Sequence, residues 1–556
     1  MEKNRFFCYN IKLIQILCSF GRYKHMKAPK ILSSILCILL LLSLFSSCGG
    51  TDVKAFYFAV REKAGTFDPT VASDTTAKII VRNCFEGLVY PDENGELVPG
   101  AAESWTVSPD GLTYTFRIRA DAKWHLTSNA EKELEGKLPE NFDLRVTAYD
   151  FEFGLKRALD PAMGAADAYK LSAVKGAAAV TAGEAELDSL GIRALSADEL
   201  QITLSQPQND FLYVLAEPLC MPCNETFFNA TGGRYGIFIK DFLSNGPFYL
   251  SYFDDGTYRI TKNPDYSGTH EAQADVVRFY VNDNDDSVFT ALNDGDYTGA
   301  YMNESQFESF GASKKNVVFS TADKTRAFIL NEKSEPLSDV SVRMAFLLAT
   351  DTEKVASLAE RTPVHSPLPA AVRSGFTGNV TFDEPKAVSV LSAALEKAGI
   401  SSVTVSLKCE ARHEFMLKKQ LQSWQKIFGT SFNIDVVSMS AEELARDVKN
   451  GDYDIAFYPV AASSASAEDF FLQFTAASSQ NIFGTDDEAF DLAVKALGSA
   501  SEEDADTSLA NVCRAVADNA VMLPVWSEST YFVCVKDTAG VILLPGEDNV
   551  YFYNCN

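Results

Sequence analysis

The chain predicts an α/β protein built of two or more lobes, and three observations predict it. At 556 residues it is too long to fold around one core. Its apolar content, 46 %, is that of an ordinary globular protein, so each lobe has material to bury. Runs of alternating apolar and polar residues recur between runs with apolar residues at helical spacing, the pattern of strands interleaved with helices.

The formal net charge of −26 reads as a solvated, acidic surface. Basic stretches are confined to the N-terminus, which excludes nucleic acid as a partner, because phosphate recognition needs clustered Lys and Arg. There, Arg22, Lys24, Lys27 and Lys30 precede an apolar run from Ile31 to Phe45 that is short for a bilayer span and suited to a signal-peptide core. Ser46 and Ser47 then precede Cys48, Gly49 and Gly50. That order resembles a bacterial lipoprotein signal, with Phe45 standing where an aliphatic residue is usual, and implies lipidation of Cys48. A second start is available at Met26.

Lys54 to Val60 reads as a first strand, leading into the turn Gly65-Thr66-Phe67-Asp68-Pro69. Ser73 or Asp74 is placed to cap a helix from Thr75 to Leu88. Strands follow at Gly95 to Val98 and Leu112 to Arg119, separated by the turn signals Asp92-Glu93-Asn94-Gly95 and Ser108-Pro109-Asp110-Gly111. In Thr113-Tyr114-Thr115-Phe116-Arg117-Ile118-Arg119 the alternation argues for a sheet packed on one face and wet on the other. The charged stretch His125 to Val146 reads as a surface insertion.

Thr147 with Asp150 makes a capping box for a helix that ends near Asp160-Pro161. The alanine-rich stretch 162–190 reads as helical. Strands are expected at Leu200 to Leu204 and Val276 to Val281, then a helix at Ser287 to Asn293. Further on, helices at Pro385 to Ala398, Glu414 to Phe428 and Ala441 to Lys449 alternate with strands at Val403 to Leu407 and Phe432 to Val437. The last strands, near Met522 to Trp526 and Tyr531 to Val535, return to the first lobe.

Several spaced elements agree in order with one family. Phe85-Glu86-Gly87-Leu88, Leu97-Val98-Pro99-Gly100-Ala101-Ala102-Glu103-Ser104-Trp105, Asp110-Gly111-Leu112-Thr113-Tyr114-Thr115-Phe116 and Ala122-Lys123-Trp124 form one block. Arg157-Ala158-Leu159-Asp160-Pro161, Gly246-Pro247-Phe248, Asn263-Pro264-Asp265-Tyr266 and the run from Pro336 to Ala345 continue it. The chain resembles the extracytoplasmic solute-binding proteins of peptide and nickel ABC importers from about Thr66 onward. The resemblance implies a periplasmic-binding-protein-like type II fold, two lobes with an extra α+β domain inserted in the first. It implies a signal peptide over 1–48 and lobe I from 49–85, 233–323 and 523–556. The inserted domain is then 86–232 and lobe III 324–522.

The function implied is capture of oligopeptides in an interlobe cleft and delivery to ABC permease subunits. The protein is expected to be a lipid-anchored, extracytoplasmic monomer at the bacterial cell membrane, with no cofactor and no metal. The alternatives are a receptor or chaperone of the same fold without transport, a binder of a non-peptide solute such as nickel, and a surface hydrolase.

Peptide binders of this family carry Trp-x-Ala-Asp-Tyr-x-Asp-Pro after the "YDI" triplet, the first Asp pairing with the peptide's amino terminus. Aligned through Tyr453-Asp454-Ile455, this chain has Val460 at the Trp, Ser463 at that Asp and Ser464 at the Tyr. Serine brings no charge for a buried ammonium. Either Glu468 or Asp469 takes the role, or the ligand presents no free amino group there. Asn481 matches a family asparagine beside the cleft, and Asp74, Thr75 and Arg326 complete the candidate ligand-binding set.

No catalytic constellation is legible: the chain has no GxSxG, HExxH, P-loop or GxGxxG before a helix. His25, His125, His270, His365 and His413 lack metal-ligand spacing with one another and read as surface residues. Asp254-Asp255 and Asp285-Asp286 read as solvated turn residues. Seven cysteines follow Cys48, an odd and scattered set that is no disulfide framework, and Cys220-Met221-Pro222-Cys223 has no second pair to complete a zinc site.

Overall fold

The computed structural model describes residues 53–372, 380–501, 503–536, 538–546 and 548–556. The apolar leader and the lipidation expected at Cys48 lie outside the described residues. None of the described helices is long and apolar enough to cross a membrane.

In chain order, strand β1 (Ala55–Val60) is followed by helix α1 (Thr75–Cys84) and the hairpin of β2 (Val89–Pro91) and β3 (Leu97–Pro99). Strands β4 (Ala102–Val107), β5 (Thr113–Ile118), β6 (Ile192–Ser196) and β7 (Glu199–Thr203) then build a separate antiparallel sheet in the order β4-β5-β7-β6. Helix α2 (Ala148–Leu159) lies between β5 and β6 in sequence, and the capping box of Thr147 and Asp150 starts it as expected.

The remaining large strands are β8 (Phe248–Phe253), β9 (Thr257–Lys262), β10 (Val276–Val281), β11 (Gly299–Met302), β12 (Asn316–Leu330), β13 (Val403–Glu410), β14 (Phe432–Met439), β15 (Ile455–Ala461) and β16 (Met522–Val535). With β1 they form one ten-stranded sheet in the order β14-β13-β15-β12-β16-β11-β1-β10-β9-β8. The parallel ladders β1–β10 and β13–β14 sit in opposite halves, joined by the long antiparallel pair β12–β16. Strand alternation divides the core of the β12 half. Phe328 and Leu330 enter the cluster on one face with Trp424 and Trp526, while Ala327 and Ile329 enter the opposite one with Phe470 and Phe483. The largest apolar cluster joins β1, β8 to β10 and the four-stranded sheet.

Several local expectations are corrected. Helix α1 stops at Cys84 rather than Leu88, because Asn245 accepts the Glu86 N–H at 3.1 Å and donates to the Glu86 carbonyl at 2.8 Å, drawing the chain away. Over 162–190 helix forms only in short pieces, among them the 3-10 turn Ala168–Leu171 and the five-residue helix Ala177–Thr181, since Gly164, Gly176 and Gly183 all take positive φ. The stretch after Trp124 is charged and largely exposed as expected, yet it includes a helical turn at Ser128–Glu133. Its base is tied by Trp124 N–H to the Leu144 carbonyl and Val146 N–H to the Ala122 carbonyl.

His270 and His413 are buried, not on the surface. His270 packs on Tyr90 and His413 on Phe457 and Trp526. Burial, with Arg119 for His270 and Arg326 for His413, lowers their pKa values to about 4 and about 3, so both are neutral side chains of the core. Asp285 and Asp286 stand in the first turn of a helix rather than in a loop. All seven described cysteines are buried free thiols, Cys220 and Cys223 included.

Candidate ligand site

The turn after β15 carries Ser463, Ser464 and Ser466 into helix α3 (Ala467–Leu472), where Ser466 caps by accepting the Asp469 N–H at 3.1 Å. That geometry turns the Asp469 side chain back over the turn. Its Oδ2 accepts from Ser463 Oγ at 2.5 Å and from Ser464 Oγ at 2.9 Å. The other oxygen, Oδ1, lies 3.2 Å from Nζ of Lys170, which also donates to Ser463 Oγ at 3.0 Å. Lys170 comes from the short turn Ala168–Leu171 and is only 3 % exposed.

Behind Lys170 the charges continue. Glu217 lies 3.9 Å from Lys170 through Oε1 and accepts from Arg82 of α1 at 2.8 Å through Oε2. Arg82 also holds Asp548 at 3.0 Å, and one turn earlier Lys78 pairs with Asp167 at 2.8 Å. Burial disfavours each charge, but the pairings win: Lys170 and Arg82 are raised well above their ordinary values, and Asp469 and Asp548 are held below theirs.

Glu468 is the exception. It is buried against Gln208, Asp210 and Gly498, and its Oε2 finds no hydrogen-bond partner in the structure. Burial and then the like charges of Asp210 and Asp469 push its pKa up to about 8, so it is a neutral acid at pH 7. Asp210 is bonded by the Ser466 hydroxyl.

Two cavities lie nearby, the first of them against this cluster. One, of about 70 Å³, is lined by Arg82, Tyr213, Glu217, Ser464, Leu544 and Asn549 among others. A second, of about 340 Å³, lies between the turns around Ala165, Tyr169 and Ala177 and the segment at Ala477 and Ser479. The Ser479 hydroxyl donates to the Ala166 carbonyl at 3.0 Å across that gap.

Of the candidate residues, the structure therefore brings together Ser463, Ser464 and Glu468. Arg326 lies in a different buried cluster, bonded to Glu528 and Glu410. Asn481 donates to the carbonyls of Thr475 at 3.3 Å and Thr485 at 2.8 Å, bracing its own loop. Asp74 caps α1 through the Ala77 N–H and holds the Gly65 N–H, and the Thr75 N–H donates to Glu62. Sequence reasoning missed Arg82, Lys170 and Glu217. Glu217 left a signal as a lone charge inside the apolar run Phe211 to Leu219, and Arg82 a weaker one, directly after Ile79-Ile80-Val81. Lys170 left none.

The molecule thus has a sheet of two halves joined by two long strands, a separate four-stranded sheet, and a buried polar seam between segments remote in sequence. The model of bacterial extracellular solute-binding proteins, family 5, matches residues 96–481, and the chain belongs to that family. It is 26 % identical to the dipeptide-binding protein of Lactococcus lactis subsp. cremoris, over 85 % of this chain and 88 % of that one. The dipeptide-binding protein DppE of Bacillus subtilis is 24 % identical, over 88 % and 90 %. The substrate-binding domain of an oligopeptide ABC transporter from Bacillus anthracis superposes with a TM-score of 0.72 at 22 % identity, covering 91 % of this chain and 99 % of that one. The fold is accordingly the type II two-lobe fold of these binding proteins.

Proposed function

We propose that the chain is the substrate-binding component of an ABC importer, taking oligopeptides into a cleft between its lobes and presenting them to a membrane permease. The observation that carries this is the Lys170–Asp469 contact with its surrounding charges. Five segments remote in sequence, around 78–82, 167–170, 217, 463–469 and 548, meet there in polar contacts, the arrangement expected where parts of a binding protein close on one another. The named relatives, matched over most of their length, supply the ligand class.

The lobe boundaries drawn from the sequence put these segments in lobe I, the inserted domain and lobe III, and that partition is part of the reading. So is the anchor. Lipidated at Cys48, the protein works as a monomer outside the cytoplasmic membrane, and its chemistry is capture without turnover.

Calorimetric titration of the purified mature protein with a peptide library tests the reading. Saturable binding of some peptides is expected, and silence towards all of them overturns it. Incorporation of labelled fatty acid that disappears in Cys48→Ala tests the anchor.

A further inference from the structure

Each cation of the seam around Lys170 is already paired from within. Among the described residues, Lys78 has Asp167, Arg82 has Glu217 and Asp548, and Lys170 has Asp469 together with the Ser463 hydroxyl. Asp210 is bonded by Ser466, and Glu468 is neutral. A peptide with a free amino end brings an ammonium that must lose its water to enter such a place. Here Asp469 Oδ1 carries no hydrogen bond among the described residues but faces the Lys170 ammonium at 3.2 Å, so an incoming ammonium could reach it only by expelling a buried lysine.

A separate observation points the same way. The cavity of about 340 Å³ that opens beside Tyr169, on the same turn as Lys170, is walled by Leu159, Ala165, Ala168, Ala177 and Ala477 among others. Its lining holds no carboxylate and no cation. Lys170 is not among its walls, and the room this turn offers beside Tyr169 suits an uncharged group and not an ion.

We infer that Lys170 is a specificity-determining residue of the cleft: by filling the cation site of Asp469 and Ser463 from within, it selects peptides whose amino end carries no charge. This rests on the peptide reading above. The chemistry required is a blocked amino end, whether acylated or closed into a ring. Lys170 acts by exclusion, and it also joins the turn Ala168–Leu171 to the turn before α3.

The test uses matched pentapeptides, free-amino and N-acetylated, titrated into the full mature protein by calorimetry. The acetylated member of a pair is expected to bind at least ten-fold tighter, and equal or tighter binding of the free-amino member overturns the inference while leaving peptide binding intact. In Lys170→Ala the preference is expected to reverse; an unchanged preference overturns it. Ethylammonium chloride should raise the Tm of Lys170→Ala by several degrees over sodium chloride at equal ionic strength and leave wild type unmoved. No such rescue overturns the cation-site assignment. That arm stands even if neither peptide form binds, a result that would defeat the peptide reading instead. Should Lys170→Ala fail to fold, the double variant Lys170→Met/Asp469→Asn removes both charges together, and retention of the wild-type preference in it overturns the inference.

Discussion

Arg326 of β12 and Glu528 of β16 face each other across the two longest strands as a bidentate pair, Nε 3.0 Å from Oε1 and Nη2 2.8 Å from Oε2. Glu410 accepts from the remaining Nη1 at 2.7 Å, and the guanidinium lies over the Phe457 ring. The pair stands at a register irregularity of the β12–β16 ladder, between Arg326 and Ala327, where a strong side-chain bond makes up for the disturbed backbone ladder.

Arg326→Met takes the buried cation from Glu528 and Glu410 and leaves them the half-buried Arg412, 3.9 Å from Glu528 and 2.8 Å from Glu410. The expected cost is about 3–5 kcal/mol at pH 7, read from urea unfolding. Burial alone would raise the Glu528 pKa, but Arg326 more than reverses this and holds it at about 2, below its ordinary 4.5. A depressed acid stabilises above its unfolded value and loses that contribution as pH falls through the folded one. The gap between wild type and variant should therefore narrow between pH 4.5 and about 2; a constant gap refutes the ion-pair account.

Glu468 has the opposite sign. With its pKa pushed from 4.5 to about 8 by burial, Asp210 and Asp469, the folded protein keeps a proton that the unfolded chain has released. Stability contributed by this group is highest at low pH and falls as pH rises across that window. Glu468→Gln, a neutral stand-in, should match wild type near pH 4 and exceed it by roughly 3–5 kcal/mol above pH 8. Thermal melts across that range decide it, and a pH-independent difference counts against a buried neutral acid.

Ser463→Asp puts a second carboxylate beside Asp469, with Lys170 as the nearest cation for both. Where one hydroxyl now donates to the carboxylate, like charges meet. A loss of about 1–3 kcal/mol in chemical denaturation is expected. Unchanged stability would mean the turn relaxes away from Lys170.

Gly236 has φ +74°, and a Cβ there would stand 2.2 Å from the Asp68 backbone nitrogen. Its carbonyl accepts the Phe67 N–H at 2.9 Å, so the two segments have no slack. Gly236→Ala should cost at least about 3 kcal/mol. Gly232→Ala, at φ +59° with open space around it, should cost only about 1 kcal/mol for the left-handed backbone. Equal Tm losses in the two variants would refute the steric argument.

The α/β class, most strands, the Thr147 capping box and the family were legible in the sequence, because periodicity, capping and turn chemistry are local. Over 162–190 alanine content speaks for helix, and glycines at positive φ cut it into short pieces. Burial of His270 and His413 is not legible in the sequence, because composition does not reveal which rings the fold stacks together.

What the chain order fixed by itself was the elements and their kinship. Only the tertiary structure decided which charges neutralise which. Lys170, Glu217, Arg82, Asp548 and Asp469 sit in five unrelated stretches, and an ion pair depends on separation in space and on exclusion of water, neither of which is written along the chain.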